Sequence, residues 1–310
     1  MRTLVLIAIL LPAPLAAFQR QTATTIRDIN GHVIDWSRSS SGDGRSSETV
    51  QTLNGRRAPL EQVQEKVLKN EGGVRILERI RTRYDQDGRP LPPEKTVIET
   101  ATRPDGSSTE KTTVWRGDLN GQLRPAERSV TESTKSGDTV NSQTSIERAS
   151  INGGFDLAER HSARETSTKT DSERDELIYT RDANGQFIES VRTVTRSRTQ
   201  NGETETRVDE YEAVTTGSLK LARQSVARTV KGPGGAERQE IDVFGPAAPG
   251  RPIPDDGSFS LRERQIYTSR QSPDGSTVQV FAIQRPSLSS SKVLGPLQTI
   301  SETVCRGKCN

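Results

Sequence analysis

Aromatic side chains are scarce in this chain: they make up 4% of its 310 residues, and hydrophobic residues of all kinds only 30%. A compact two-domain protein of that length buries a large core, and the apolar material for one is missing. Histidine is limited to His32 and His161, and cysteine to Cys305 and Cys309. Metal binding at the cysteine pair would need further ligands, and neither histidine is near it in sequence. There is no Gly-x-Ser-x-Gly elbow and no phosphate-cradling glycine loop. Carboxylates are so numerous that no acid pair stands out for general acid–base work. With 44 Lys and Arg against 41 Asp and Glu, the net charge of +3 gives no bulk attraction for nucleic acid or an acidic membrane. The expectation is therefore of no enzyme, no cofactor and no metal.

Long apolar runs are also missing, with one exception. Leu4 to Leu11 is unbroken, follows a short basic start and leads into the small residues ending at Ala17. It is too short to span a bilayer, which takes roughly 20 residues, and it reads as a secretory signal peptide cleaved near Ala17. Export would place Cys305 and Cys309 in an oxidising compartment, where so close a pair is expected to form one local disulfide.

What the chain has in abundance is turn chemistry at a fixed interval. Asp28-Ile29-Asn30-Gly31, Asp85-Gln86-Asp87-Gly88, Asp118-Leu119-Asn120-Gly121 and Asp182-Ala183-Asn184-Gly185 share an Asp-x-Asn/Asp-Gly core. Gly55, Gly88, Gly121, Gly153, Gly185 and Gly217 follow one another at intervals of 32 or 33 residues, which marks an internal repeat. A second set of turn signals lies midway, as at Asn70-Glu71-Gly72-Gly73, Pro104-Asp105-Gly106 and Asn201-Gly202. Such dipeptides between strand-like runs are hairpin signals, so each unit supplies two long antiparallel strands. Val97, Val130, Val194 and Val226 fall nine residues after their ruler glycines, and Ile266 falls nine after Gly257. Pro273-Asp274-Gly275 repeats Pro104-Asp105-Gly106. The Asp side chains are read as caps of their own turns, because the glycine comes too early for a calcium loop.

The organisation expected is a signal peptide at 1–17, a short first unit or cap at 18–52, tandem hairpins over 53–243, an inserted Pro/Gly-rich loop at 244–254, a last unit at 255–286 and a C-terminal cap with the cysteine pair at 287–310. The strands barely alternate apolar with polar, which predicts an all-β, elongated, twisted antiparallel meander, single-layered or loosely curled. An outward apolar band and aromatic girdles, as in a membrane barrel, are not evident in the strands. Trp115, Tyr179 and Tyr211 all stand six residues before a ruler glycine, which places them on one face at one height. That column either stiffens a thin sheet or offers a stacking strip to a ligand.

The run Arg83-Tyr84-Asp85-Gln86-Asp87-Gly88-Arg89 resembles the tyrosine-aspartate repeats of Rhs-type bacterial wall-associated proteins. The resemblance implies β-hairpins, in a family linked to carbohydrate binding and toxin encapsulation, and covers this one run. Together these features lead to the expectation of a secreted, non-enzymatic β-repeat protein, periplasmic or extracellular. It would act as a scaffold or binding module for a glycan or cell-envelope polymer, able to self-associate through edge strands, with no nucleic-acid partner and no membrane span in the mature chain. A glycan-active hydrolase using acidic residues on the sheet, or a largely disordered exported chain, are the alternatives.

Overall fold

The computed structural model describes residues 22–29, 32–41, 43–53, 56–118, 120–214, 217–246, 259–287 and 290–306. It contains β1 (Thr22–Asp28), β2 (Val33–Ser41), β3 (Gly44–Leu53), β4 (Arg56–Glu71), β5 (Val74–Arg83), β6 (Glu94–Thr102), β7 (Ser108–Gly117), β8 (Leu123–Ser136), β9 (Thr139–Ala149) and β10 (Phe155–Ser167). There follow β11 (Asp171–Arg181), β12 (Phe187–Gln200), β13 (Glu203–Ala213), β14 (Leu219–Lys231), β15 (Glu237–Pro246), β16 (Phe259–Gln271), β17 (Thr277–Gln284), β18 (Pro286–Ser287), β19 (Ser290–Leu294) and β20 (Gln298–Arg306). The short β18 and β19 pair only with each other; the rest form one 18-stranded antiparallel sheet.

That sheet closes on itself. β1 pairs with β2 and also with β20, with Ile26 opposite both Ile34 and Thr303. The all-β antiparallel class holds, but the open meander does not: the structure is a barrel. The reason is non-local and leaves no mark on any one repeat, since β1 and β20 meet across the whole length of the chain. Residues expected as terminal caps supply the staves β1 to β3 and β20. Phe244, Gly245 and Pro246, expected in the inserted loop, extend β15 opposite Leu261, Ser260 and Phe259.

The two sets of turns form the two rims. Gly88, Gly121, Gly153, Gly185 and Gly217 lie at one rim with φ between 76° and 83°, backbone that glycine adopts without steric cost. Asp182 holds its turn by accepting the Asn184 and Gln186 amides at 2.9 and 2.8 Å, and Asp118 and Asp85 do the same for theirs. The opposite rim carries the mid-repeat turns. There Ser107 and Ser276 each donate Oγ–H to the preceding aspartate, Asp105 and Asp274, at 2.6 Å.

Several even-numbered strands bulge at the ruler-glycine rim. Ala158, Ser190 and Ala222, each five residues after its glycine, are the extra residues between paired positions. Bulges increase local twist and are common at barrel rims.

Which face is inside follows from register and burial together. Across the sheet the pairing climbs toward the ruler-glycine rim, from Ser47 to Val63 to Arg81 to Glu94. Strand twist is right-handed, which sets the tilt of strands in a barrel. With that tilt, the donor directions of Thr102 N–H to Gly73 O and Ser167 N–H to Asp138 O turn Thr102 and Ser167 inward. Burial in β8 runs the same way, with the outward Arg128, Val130, Glu132 and Thr134 exposed and the inward Glu127, Ser129, Thr131 and Ser133 half-buried, whereas Val194, Asp209 and Ile266 are buried on the outward face. The chain exposes 21885 Å² in all, against about 13,000 Å² for a compact monomer of its mass. Both faces are accessible, and the barrel is hollow.

Candidate functional site

The inner wall over β4 to β11 carries an ion-pair ladder. Arg79 and Arg81 of β5 reach Glu65 and Glu61 of β4 at 2.6 and 2.5 Å. Arg116 reaches Glu94 at 3.4 Å, and Arg148 bridges Glu127 and Glu159 at 3.4 and 2.5 Å. His161 stands between Glu159 and Glu176 at 3.3 and 3.9 Å. Period-two spacing puts these charges on one face: Arg79, Arg81 and Arg83 alternate along β5. From β12 round to β1 the same wall is less charged, with Thr193, Thr195, Ala227, Ile241, Phe281 and Ile26 on its inward face beside charges such as Glu210 and Arg223.

A cavity of about 490 Å³ opens on this wall over β2 to β6, lined by Trp36, Arg38, Arg45, Glu61, Glu65 and Arg79 among others. Among the described residues no carboxylate lies within ion-pair distance of Arg38 or Arg45. Glu65, opposite Arg45 across the strands, is taken by Arg79.

The outer wall is layered by height. Trp115, Tyr179, Tyr211 and Phe244 sit two residues before the ends of β7, β11, β13 and β15. Phe155, Phe187 and Phe259 open β10, β12 and β16, and Tyr84 follows β5. All eight point outward at the ruler-glycine rim. Arginines partly cover the rings: Arg128 stands 3.9 Å from the Phe155 centroid and Arg160 4.7 Å from Phe187. Leu157, Leu177, Leu221 and Leu261 lie beside or just below the rings. Next come paired charges, Arg192 with Asp175 at 2.7 Å and Arg264 with Asp242 at 2.6 Å, then the row of Val130, Val194, Val226 and Ile266. Asp209 is outward yet 2% exposed, because Arg207 donates to both its oxygens at 3.1 Å and Gln224 to one at 2.8 Å.

The structure therefore sets Trp115, Tyr179 and Tyr211 at one level of the outer wall, each on a separate stave and none in ring contact with another. Cys305 is buried and accepts the Thr24 hydroxyl at 3.6 Å; Cys309, and with it the expected pairing, lies outside the described residues. Sequence reasoning missed Trp36, Arg38 and the Arg79–Arg83 alternation. The signal was there, since Trp36 and Arg38 share a strand face by the same period of two.

No protein-family model matches the chain, and no curated protein does. Among solved structures it is similar to a triple mutant of the Rh. blastica porin, at a TM-score of 0.53 and 10% identity, covering 92% of this chain and 96% of that one. The likeness is one of fold. It corrects three expectations. An open-faced secreted scaffold that recruits partners through edge strands is overturned, because closure leaves every stave paired on both sides. A location free in the periplasm or medium, expected from the signal peptide, is overturned by the closed porin-like barrel, whose outer face carries a ring of aromatic residues at one rim. The disordered alternative fails against the continuous sheet. Among the described residues no helix is long and apolar enough to cross a membrane, which says nothing of strands.

Proposed function

We propose that the chain is a membrane-seated conduit for small polar solutes, a hollow barrel of the porin kind. The observation that carries this reading is a closed 18-stranded wall with a charged, hydroxyl-rich inner face and an aromatic collar on its outer face at one rim. Large barrels leave an aqueous channel, and aromatic side chains favour the boundary between water and lipid, where one edge is apolar and the other wet. The collar and its leucines are the part of the outer wall suited to lipid contact. Below it Arg192 and Arg264 are held in pairs with Asp175 and Asp242, the form that costs least near lipid, since a lone arginine on a lipid face at mid-membrane costs about 2–4 kcal/mol.

The test is reconstitution of the mature chain into vesicles loaded with a small charged dye. Protein-dependent dye release, with vesicle binding reduced in a Trp115→Ala/Tyr179→Ala/Tyr211→Ala variant, is the expected result. Folded protein that neither binds vesicles nor releases dye would overturn it.

A further inference from the structure

We propose that the inner-wall cavity over β2 to β6 is a binding site for an anionic sugar, a ring bearing a carboxylate or phosphate. This rests on the reading of the barrel as a conduit and names the solute class it takes. Trp36 offers an indole face, the usual platform for the apolar side of a sugar ring. Arg38 lies two residues on, on the same face of β2, and Arg45 stands on the adjoining β3 opposite Ser40, so both cations line the same cavity as the ring. They differ from the neighbouring arginines in lacking a carboxylate. Arg79 and Arg81 are neutralised by Glu65 and Glu61, and Arg116, farther along the ladder, by Glu94.

The contrast with the outer wall sharpens this. A groove of about 740 Å³ there is also lined by arginines, but three of the four, Arg196, Arg198 and Arg207, face an aspartate or glutamate at 3.1 to 3.7 Å, and no aromatic ring lines it beside Arg164. Of these two cavities, the inner one joins an aromatic face to guanidinium groups that lack a carboxylate. A guanidinium fork matches carboxylate and phosphate oxygens. The hydroxyls of Ser47 and Thr96 and the carboxylates of Glu61 and Glu65 supply donors and acceptors for ring hydroxyls. The volume falls within the range of small-molecule sites.

Calorimetric titration of the purified barrel with glucose 6-phosphate, glucuronate, glucose and inorganic phosphate tests the site without a membrane, so its failure is distinguishable from failure of solute transfer. Both anionic sugars should bind at least ten-fold more tightly than glucose or phosphate. Arg38→Gln/Arg45→Gln should remove that preference, and Trp36→Ala should weaken the sugars while leaving phosphate unchanged. Arg196→Gln on the outer groove should have no effect. Equal binding of glucose and glucose 6-phosphate, phosphate binding as tight as the sugars, or anion binding indifferent to the double Gln variant would each overturn the proposal.

Discussion

At Gly72 and Gly73 two adjacent residues of one turn carry different constraints. Both have positive φ, 59° and 77°, but a Cβ on Gly72 meets open space whereas one on Gly73 would stand 2.6 Å from the Thr102 carbonyl oxygen. Gly72→Ala should cost about 1 kcal/mol, from backbone conformation alone. Gly73→Ala should cost clearly more, because β6 must shift to admit it; urea unfolding of the two variants gives the comparison. Asp209 is the outer wall's most buried charge, and Asp209→Ala strips partners from Arg207 and Gln224, which should cost about 1–3 kcal/mol by the same measurement. Asp105 is fully exposed, and the Ser107 hydroxyl and amide bonds hold its carboxyl below its ordinary value of 3.8. The sign follows: a depressed folded value gives stability that is full above the unfolded value and is lost as pH falls through the folded one. Acid unfolding of Asp105→Asn should therefore differ from wild type above pH 3.8 and converge with it in stronger acid.

At the scale of strands, turns read well from sequence because their causes are local. Asp-x-Asn-Gly fixes both a capping carboxylate and a glycine of positive φ, so the rims were placed before any strand was seen. The faces of the strands were harder. A stave polar on most of both sides has no apolar stripe to show which way it faces, and in Thr193-Val194-Thr195-Arg196 the single apolar residue is Val194. The information was in charge rather than hydropathy: Arg79, Arg81 and Arg83 alternate with Glu78, Ile80 and Thr82, and cross-strand partners complete the ladder. Bulges five residues after the ruler glycines were not expected either. Their small residues, Ala158 and Ala222 among them, look like ordinary strand positions until register shows them unpaired.

For the molecule as a whole, only Trp115, Tyr179 and Tyr211 of the aromatic collar stand six residues before a ruler glycine. Phe155, Phe187 and Phe259 stand on the falling strands, after the turn rather than before it, and the hairpin brings both sets to one rim. The site at Trp36 escaped for a related reason: it is assembled from β2 to β6 and repeats nowhere. Closure itself is the central claim, since without it there is no lumen and no collar. It can be tested with Ile26→Cys/Thr303→Cys, placed directly opposite one another where β1 meets β20, in a background where Cys305 and Cys309 are serine. Cysteines facing across adjacent strands lie within bridging reach. At low protein concentration the closed barrel should oxidise to a monomer with an internal 26–303 cross-link, identified by mass spectrometry of the digest. A folded chain that keeps both thiols free, or that links only between molecules, would contradict it.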